Sequence, residues 1–162
     1  MKDRPLALNL DIDVLRGQLG GWSDDPVDAG LNARRLALVM ARSHLTAGLD
    51  VVVPQFLGKV DFVLELEALA LETGTLFVEV MLQLDRGQAA EAFRNRSERP
   101  TEQTHIDAAA LVRSSASRDP LGDAYDAAQR VLASRPNTLI VPVTPGDIDT
   151  TFAALRQAVA PN

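Results

Sequence analysis

Hydrophobic residues along this chain change spacing several times, and each change predicts an element. Leu6, Leu8 and Leu10 alternate with smaller or polar residues, the period of a short strand. Val14, Leu15 and Leu19 then follow at helical spacing. Asp25-Pro26 predicts a helix start, with Asp as N-cap and Pro at the first helical position. Leu31, Arg35, Leu36, Val39 and Met40 continue that helix at three-four spacing, and Gly48 ends it. Leu49 to Val53 is short, β-branched and bounded by Gly48 and Pro54, which reads as a buried parallel strand. Gly58 to Glu72 predicts a third helix, apolar on most faces and closed by Gly74, of the kind that lies between a sheet and another layer.

The same alternation continues. Thr75 to Leu84 is the clearest strand, with Glu79 the one awkward residue inside it. Asp85 caps a helix carrying Phe93, Arg94 and Arg96, with Arg99 just beyond. Ser97 to Thr104 is polar and broken by Pro100, so it is the segment expected to move most. Thr104 and Asp107 resemble a capping box for a short helix to about Val112. Asp119-Pro120 opens a helix to about Ser134, and Thr138 to Val143 is the last strand. Thr144-Pro145-Gly146-Asp147 is a turn, and Phe152, Leu155 and Val159 should face inward from the closing helix. Strands alternating with helices predict an α/β fold, a three-layer αβα arrangement around a mostly parallel sheet of about four strands.

Composition narrows the reading. The chain has 162 residues, 46% of them hydrophobic, enough for a single domain over residues 1–162. A net charge of -6 argues against a nucleic-acid polymer or an anionic membrane surface as partner. The absence of cysteine excludes disulfides and thiolate-bound zinc. Without a signal-peptide core at the N-terminus or an apolar run of membrane-spanning length, the expectation is a cytoplasmic protein. His44 and His105 have no partners at ligand spacing, so no metal site is expected. Ser43 and His44 are adjacent on one helix and cannot face each other as nucleophile and base.

Candidate chemistry gathers at the end of the first strand. Asp11 and Asp13 stand two apart at the mouth of a helix, with Arg16 one turn on. Open α/β sheets place substrates at such strand ends. There an acid can take a proton from a hydroxyl, and an arginine can hold a phosphate. Asp11 has a second reading as an ordinary helix cap. Trp22, the single tryptophan, lies in the following loop and is either a lid over substrate or a plug at the sheet edge.

The run Asp13-x-x-Arg16, the long helix after it, Gly48-Leu49-Asp50-Val51-Val52-Val53, and Asp85-Arg-Gly-x-Ala-x-x-Ala-Phe-x-x-Arg96 together resemble the small P-loop kinases. The nearest types are the zeta-toxin-like and chloramphenicol-phosphotransferase-like proteins, often described as AAA-domain or ATP-binding proteins. The resemblance covers nearly the whole chain and rests on the order and spacing of short motifs. It implies an ATP-dependent phosphotransferase acting on a small hydroxylated molecule, with ATP and Mg²⁺ as its cofactors. Asp13 would be the substrate-side acid with Asp11 beside it, and Arg16, Trp22 and Arg35 would contact substrate. Residues 93–118 would form a lid whose Arg94 and Arg96 stabilise the transferring phosphoryl group. Arg99, Thr144, Pro145 and Gly146 would lie at the nucleotide.

The sequence departs from the family pattern in three places. It opens at what would be the second strand, without the phosphate loop G-x-x-x-x-G-K-[ST]. Lys59 follows a strand and Gly58, but Val53 stands at the motif's first glycine and Val60 where a hydroxyl would hold Mg²⁺. Pro54 replaces the acid that often ends the third strand. An alternative is therefore a kinase-derived domain that works by binding or by self-association as a homo-oligomer. The family's first strand lies between its third and fourth, so residues 49–53 and 76–82 are expected to close up and pair directly.

Overall fold

The computed structural model describes residues 5–160. Among them the chain is mixed α/β, with four short strands and seven helices. The strands form two separate two-stranded sheets, both parallel. The chain divides into two compact units, Met1–Phe77 and Val78–Asn162.

In the first unit β1 (Leu8–Asn9) pairs with β2 (Val51–Val52), in the register Leu8 to Val51 and Asn9 to Val52. The amides of Leu8 and Leu10 donate to the carbonyls of Asp50 and Val52 at 2.9 and 2.8 Å. Between the strands run α1 (Ile12–Gly17) and α2 (Pro26–Thr46), and α3 (Asp61–Glu72) follows β2. Asp25 caps α2 by accepting from the amide of Asp28, with Pro26 at the first turn. Gly48, at φ +77°, takes the left-handed turn that releases the chain toward β2. α3 starts three residues later than its apolar run suggests, and Val60 at its cap position makes no side-chain cap hydrogen bond.

The apolar residues expected to continue α2 at three-four spacing do not form its buried face. Ala29, Ala33, Ala37 and Ala41 do, whereas Leu31, Leu36, Val39 and Met40 are exposed. Alanines four apart stack on one side of a helix and let its backbone approach its neighbours closely. Against that stripe pack Leu10, Ile12, Phe62 and Leu69, the buried cluster of this unit. Leu6 has a left-handed φ of +65°, unfavourable for a branched residue, and His44 Nε2 lies 2.7 Å from its carbonyl oxygen. His44 therefore has a structural partner at the strand entrance.

In the second unit β3 (Val80–Gln83) pairs with β4 (Leu139–Pro142) over four residues, Val80 opposite Leu139 through Gln83 opposite Pro142. The strand expected from Thr75 starts late. The Thr75 amide donates back to Ala70 at 2.8 Å around Gly74 (φ +66°), and Leu76 is 85% exposed. Glu79, the awkward charge just before β3, pairs with Arg135 at 2.8 Å, both side chains mostly buried. α4 (Arg86–Glu98) begins with the expected cap, a full capping box between Asp85 and Gln88. α5 (Gln103–Arg113), α6 (Pro120–Ser134) and α7 (Ile148–Ala158) complete the unit.

Three expectations are corrected. Thr104 and Asp107 do not cap α5, which begins after Glu102; Asp107 is buried and accepts from Gln103 Nε2 at 2.8 Å. Phe152 on α7 and Val159 at its C-cap are exposed, and only Leu155 of the three is half-buried, so that helix presents less of its apolar stripe inward than its spacing predicts. No ladder among the described residues pairs residues 49–53 with 76–82. β2 is bonded to β1 and β3 to β4, and α3 joins strands that belong to different compact units.

The alanine stripe yields a test. Ala37, with no exposed surface, should not accept a larger side chain, so Ala37→Leu is expected to cost about 1–3 kcal/mol of stability by overpacking. Val39→Ala, on the exposed face, should stay within about 0.5 kcal/mol. Urea denaturation of the two variants measures both; the reverse order would mean that the large residues of α2 carry the packing.

Candidate functional site

The carboxyl ends of β1 and β2 bring four side chains together. Leu10 and Ile12 are buried at 2% and 4% exposure, so Asp11 and Asp13, which alternate with them, are turned toward the surface. Asp11 caps α1: its Oδ1 accepts from the amides of Asp13 at 2.9 Å and Val14 at 3.2 Å. Asp13 keeps its carboxylate for side-chain partners. Arg16 Nη1 lies 3.0 Å from Asp13 Oδ1, and Gln55 Nε2 donates to Asp13 Oδ2 at 3.3 Å. Arg16 is the more deeply placed of the pair, its side chain 13% exposed against 37% for Asp13.

Trp22 supplies the wall. Its ring lies under the Arg16 guanidinium, 5.0 Å from the ring centroid, a cation–π contact that orients the fork toward Asp13. Half-buried, it also borders a cavity of about 320 Å³ shared with Leu19, Asp25, Asp28 and Asn32. The ring is thus a platform for the arginine. Asp13, Arg16 and Trp22 were each readable from the sequence, and the fold assembles them. Gln55 was not. A polar residue just after a buried strand, at the crevice outside its carboxyl end, is the signal that could have found it.

Arg35 stands elsewhere. It lies on the side of α2 opposite the alanine stripe, exposed among Leu31, Leu36 and Val39. Lys59 is exposed in the loop between β2 and α3. That loop, residues 53–60, ends at Val60 and carries no hydroxyl or carboxylate side chain that could serve a phosphate-bound cation.

In the second unit the expected lid arginines lie on or just after α4. Arg94 is exposed and lines a groove of about 200 Å³ with Phe93, Ser97, Val112 and Leu121. Arg96 is exposed and stacks on Phe93, 5.5 Å from the ring centroid. Arg99 is the C-cap of α4. A different arginine joins helices here: Arg86 reaches Asp119, the N-cap of α6, at 3.1 Å and Asp126 on α6 at 3.2 Å. Thr144, Pro145 and Gly146 form an exposed turn after β4, where the Thr144 amide donates to Thr151 Oγ1 at 3.0 Å and Gly146 takes φ +78°. Asp147 then caps α7. The Thr150 hydroxyl, followed by the Thr150 amide, holds its carboxyl below the ordinary value of 3.8.

No family model matches the chain, and no curated protein or solved structure matches it either. Among the described residues no group of three or more His, Asp or Glu side chains could hold a metal ion, and no helix is long and apolar enough to cross a membrane.

Two expectations follow from the second unit. Because the folded-state pKa of Asp147 is depressed, its cap supports α7 fully above the unfolded value near 3.8 and is lost as pH falls through the lower folded value. Thr150→Ala should move the Asp147 titration, followed by NMR, upward toward 3.8; an unchanged midpoint would show that the hydroxyl does not hold the carboxylate. Arg94→Ala and Arg96→Ala should each leave stability within about 0.5 kcal/mol, as expected of exposed positions. A cooperative loss of several kcal/mol in thermal unfolding would make these arginines structural partners instead.

Proposed function

We propose that this chain is a P-loop-kinase-like phosphotransferase domain that passes a phosphoryl group from ATP to a hydroxyl of a small molecule. The observation that carries the reading is the Asp13 carboxylate, gripped by Arg16 and Gln55 at the carboxyl ends of two parallel strands, with Trp22 behind the arginine. The finer fold expectation, a three-layer αβα arrangement of four parallel strands, belongs to the same proposal.

In the proposed reaction the acceptor oxygen gives its proton to Asp13 as it bonds to the γ-phosphorus. The bond from that phosphorus to the bridging oxygen breaks, and ADP leaves. Arg16 keeps Asp13 in one orientation, so the base meets the hydroxyl without searching rotamers. The residues present do not fit a bound Mg²⁺: Val60 and Pro54 stand where a hydroxyl and an acid would hold it.

That misfit favours a second reading, a kinase-derived domain that works without catalysis, by binding or by self-association. Calorimetric titration with ATP, with and without Mg²⁺, separates the two. Tight magnesium-dependent binding eliminates a scaffold inert toward nucleotide, and no binding eliminates the phosphotransferase. Where transfer is measured, Asp13→Asn should lower turnover by on the order of 10²–10⁴-fold while leaving ATP affinity unchanged. If Asp11→Asn removes activity and Asp13→Asn does not, the base has been assigned to the wrong acid.

A further inference from the structure

Three charged side chains of the second unit surround an apolar groove without pairing with one another. The groove, about 200 Å³ in volume, lies among α4, α5 and α6. Its floor is apolar, made by buried Ala109 with half-buried Phe93, Val112 and Leu121. Arg94, Glu98 and Arg113 line it as well, all three exposed. None of these three side chains makes an ion pair or a hydrogen bond among the described residues. Arg94 and Glu98 stand one turn apart on α4 in the order, cation before anion, that pairs less well on a helix. Ser97, the remaining polar residue of the groove, gives its hydroxyl to the Phe93 carbonyl at 2.9 Å.

The placement of the charges selects a ligand. Residues 99–102 are all that joins α4 to α5, a connection that turns one helix back along the other. Arg94 and Arg113 therefore stand farther from the turn than Glu98, which lies one helical turn nearer to it than Arg94 does. Side chains four apart on a helix have Cβ atoms about 5–6 Å apart, close enough to serve an anion and a cation carried on one carbon atom. A phosphate would gain the arginines and meet Glu98 as a like charge. A fatty acid would set its tail against that carboxylate. A peptide carries its terminal charges at opposite ends. A free α-amino acid carries both on one carbon, and an aliphatic side chain matches the floor.

We propose that this groove binds a free aliphatic α-amino acid, its carboxylate on Arg94 and Arg113, its ammonium on Glu98, and its side chain against Phe93, Val112 and Leu121. The guanidinium forks donate to the carboxylate oxygens, and the Glu98 carboxylate accepts from the ammonium. Each charge that the chain leaves unpaired thus gains a partner of opposite sign. The assignment does not depend on the phosphotransferase reading. On it, Arg94 holds a ligand carboxylate and not the transferring phosphoryl group.

Three compounds of one carbon skeleton make the test. The ¹⁵N-labelled full chain is titrated at neutral pH with L-leucine, with 4-methylpentanoate, which lacks the ammonium, and with leucinamide, which lacks the carboxylate. Amide NMR shifts follow the binding. The expected result is a saturable shift with leucine, centred on residues 93–98 and 109–113, and each analogue bound about tenfold more weakly, the low end for a lost hydrogen bond to a charged group. Glu98→Gln should abolish the preference for leucine over 4-methylpentanoate without weakening 4-methylpentanoate itself. Arg113→Ala should weaken leucine and 4-methylpentanoate together, again by about tenfold. Both positions are exposed, so both variants should fold, and their amide spectra check that directly. No saturable shift at these residues, an analogue bound as tightly as leucine, or a preference unchanged in Glu98→Gln would each overturn the assignment.

Discussion

The close seat of α2 on its neighbours is the constraint on which the first unit depends. Ala33, Ala37 and Ala41 carry no bulk beyond Cβ, so the helix backbone comes down onto Leu10, Ile12, Phe62 and Leu69. Larger residues there would hold α2 off and open space around Leu10 and Ile12. Those two residues alternate with Asp11 and Asp13. Burying the first pair is what turns the second outward, at the end of a strand only two residues long. A two-residue ladder has little strength of its own, and the apolar contacts behind it set the direction of the acids.

The two acids divide the work that follows. Asp11 spends one oxygen on the first amides of α1, which orders the helix that carries Asp13 and Arg16. Arg16 is held on one face by the Trp22 ring and at its tip by Asp13. Such an arrangement gives the carboxylate a fixed direction and partial exposure together. It also explains why Trp22 belongs in the loop after α1: an arginine this deeply placed needs a surface for its planar face, and an indole ring provides one.

The second unit is held differently. α4 and α7 have no fully buried residues, and the polar contacts among the elements are correspondingly prominent. Arg86 bridges to two aspartates of α6, and Arg135 meets Glu79 beside the sheet. The exposed Arg86 pairs contribute little each, whereas the half-hidden Arg135 pair is costly to break on one side. The charged residue that looked out of place in a strand is therefore part of how β3 is anchored to the end of α6.

Local chemistry was enough to place much of this structure. Pro26, Asp85 and Pro120 mark helix starts because a cap or a missing amide acts within one turn, and Gly48 and Gly74 mark ends because their left-handed φ suits few other residues. Asp13, Arg16 and Trp22 were legible because they follow one strand within a dozen residues. Gln55 was not, because it lies 42 positions from Asp13 and meets it only when β1 and β2 pair. The buried face of α2 was hidden for a related reason. Periodicity weighs side chains by hydrophobicity, and the stripe that matters is made of the smallest ones, chosen for close approach. Which face is buried, which strands pair, and which amide reaches the acid are decided by contacts between distant segments, and those exist only in the folded chain.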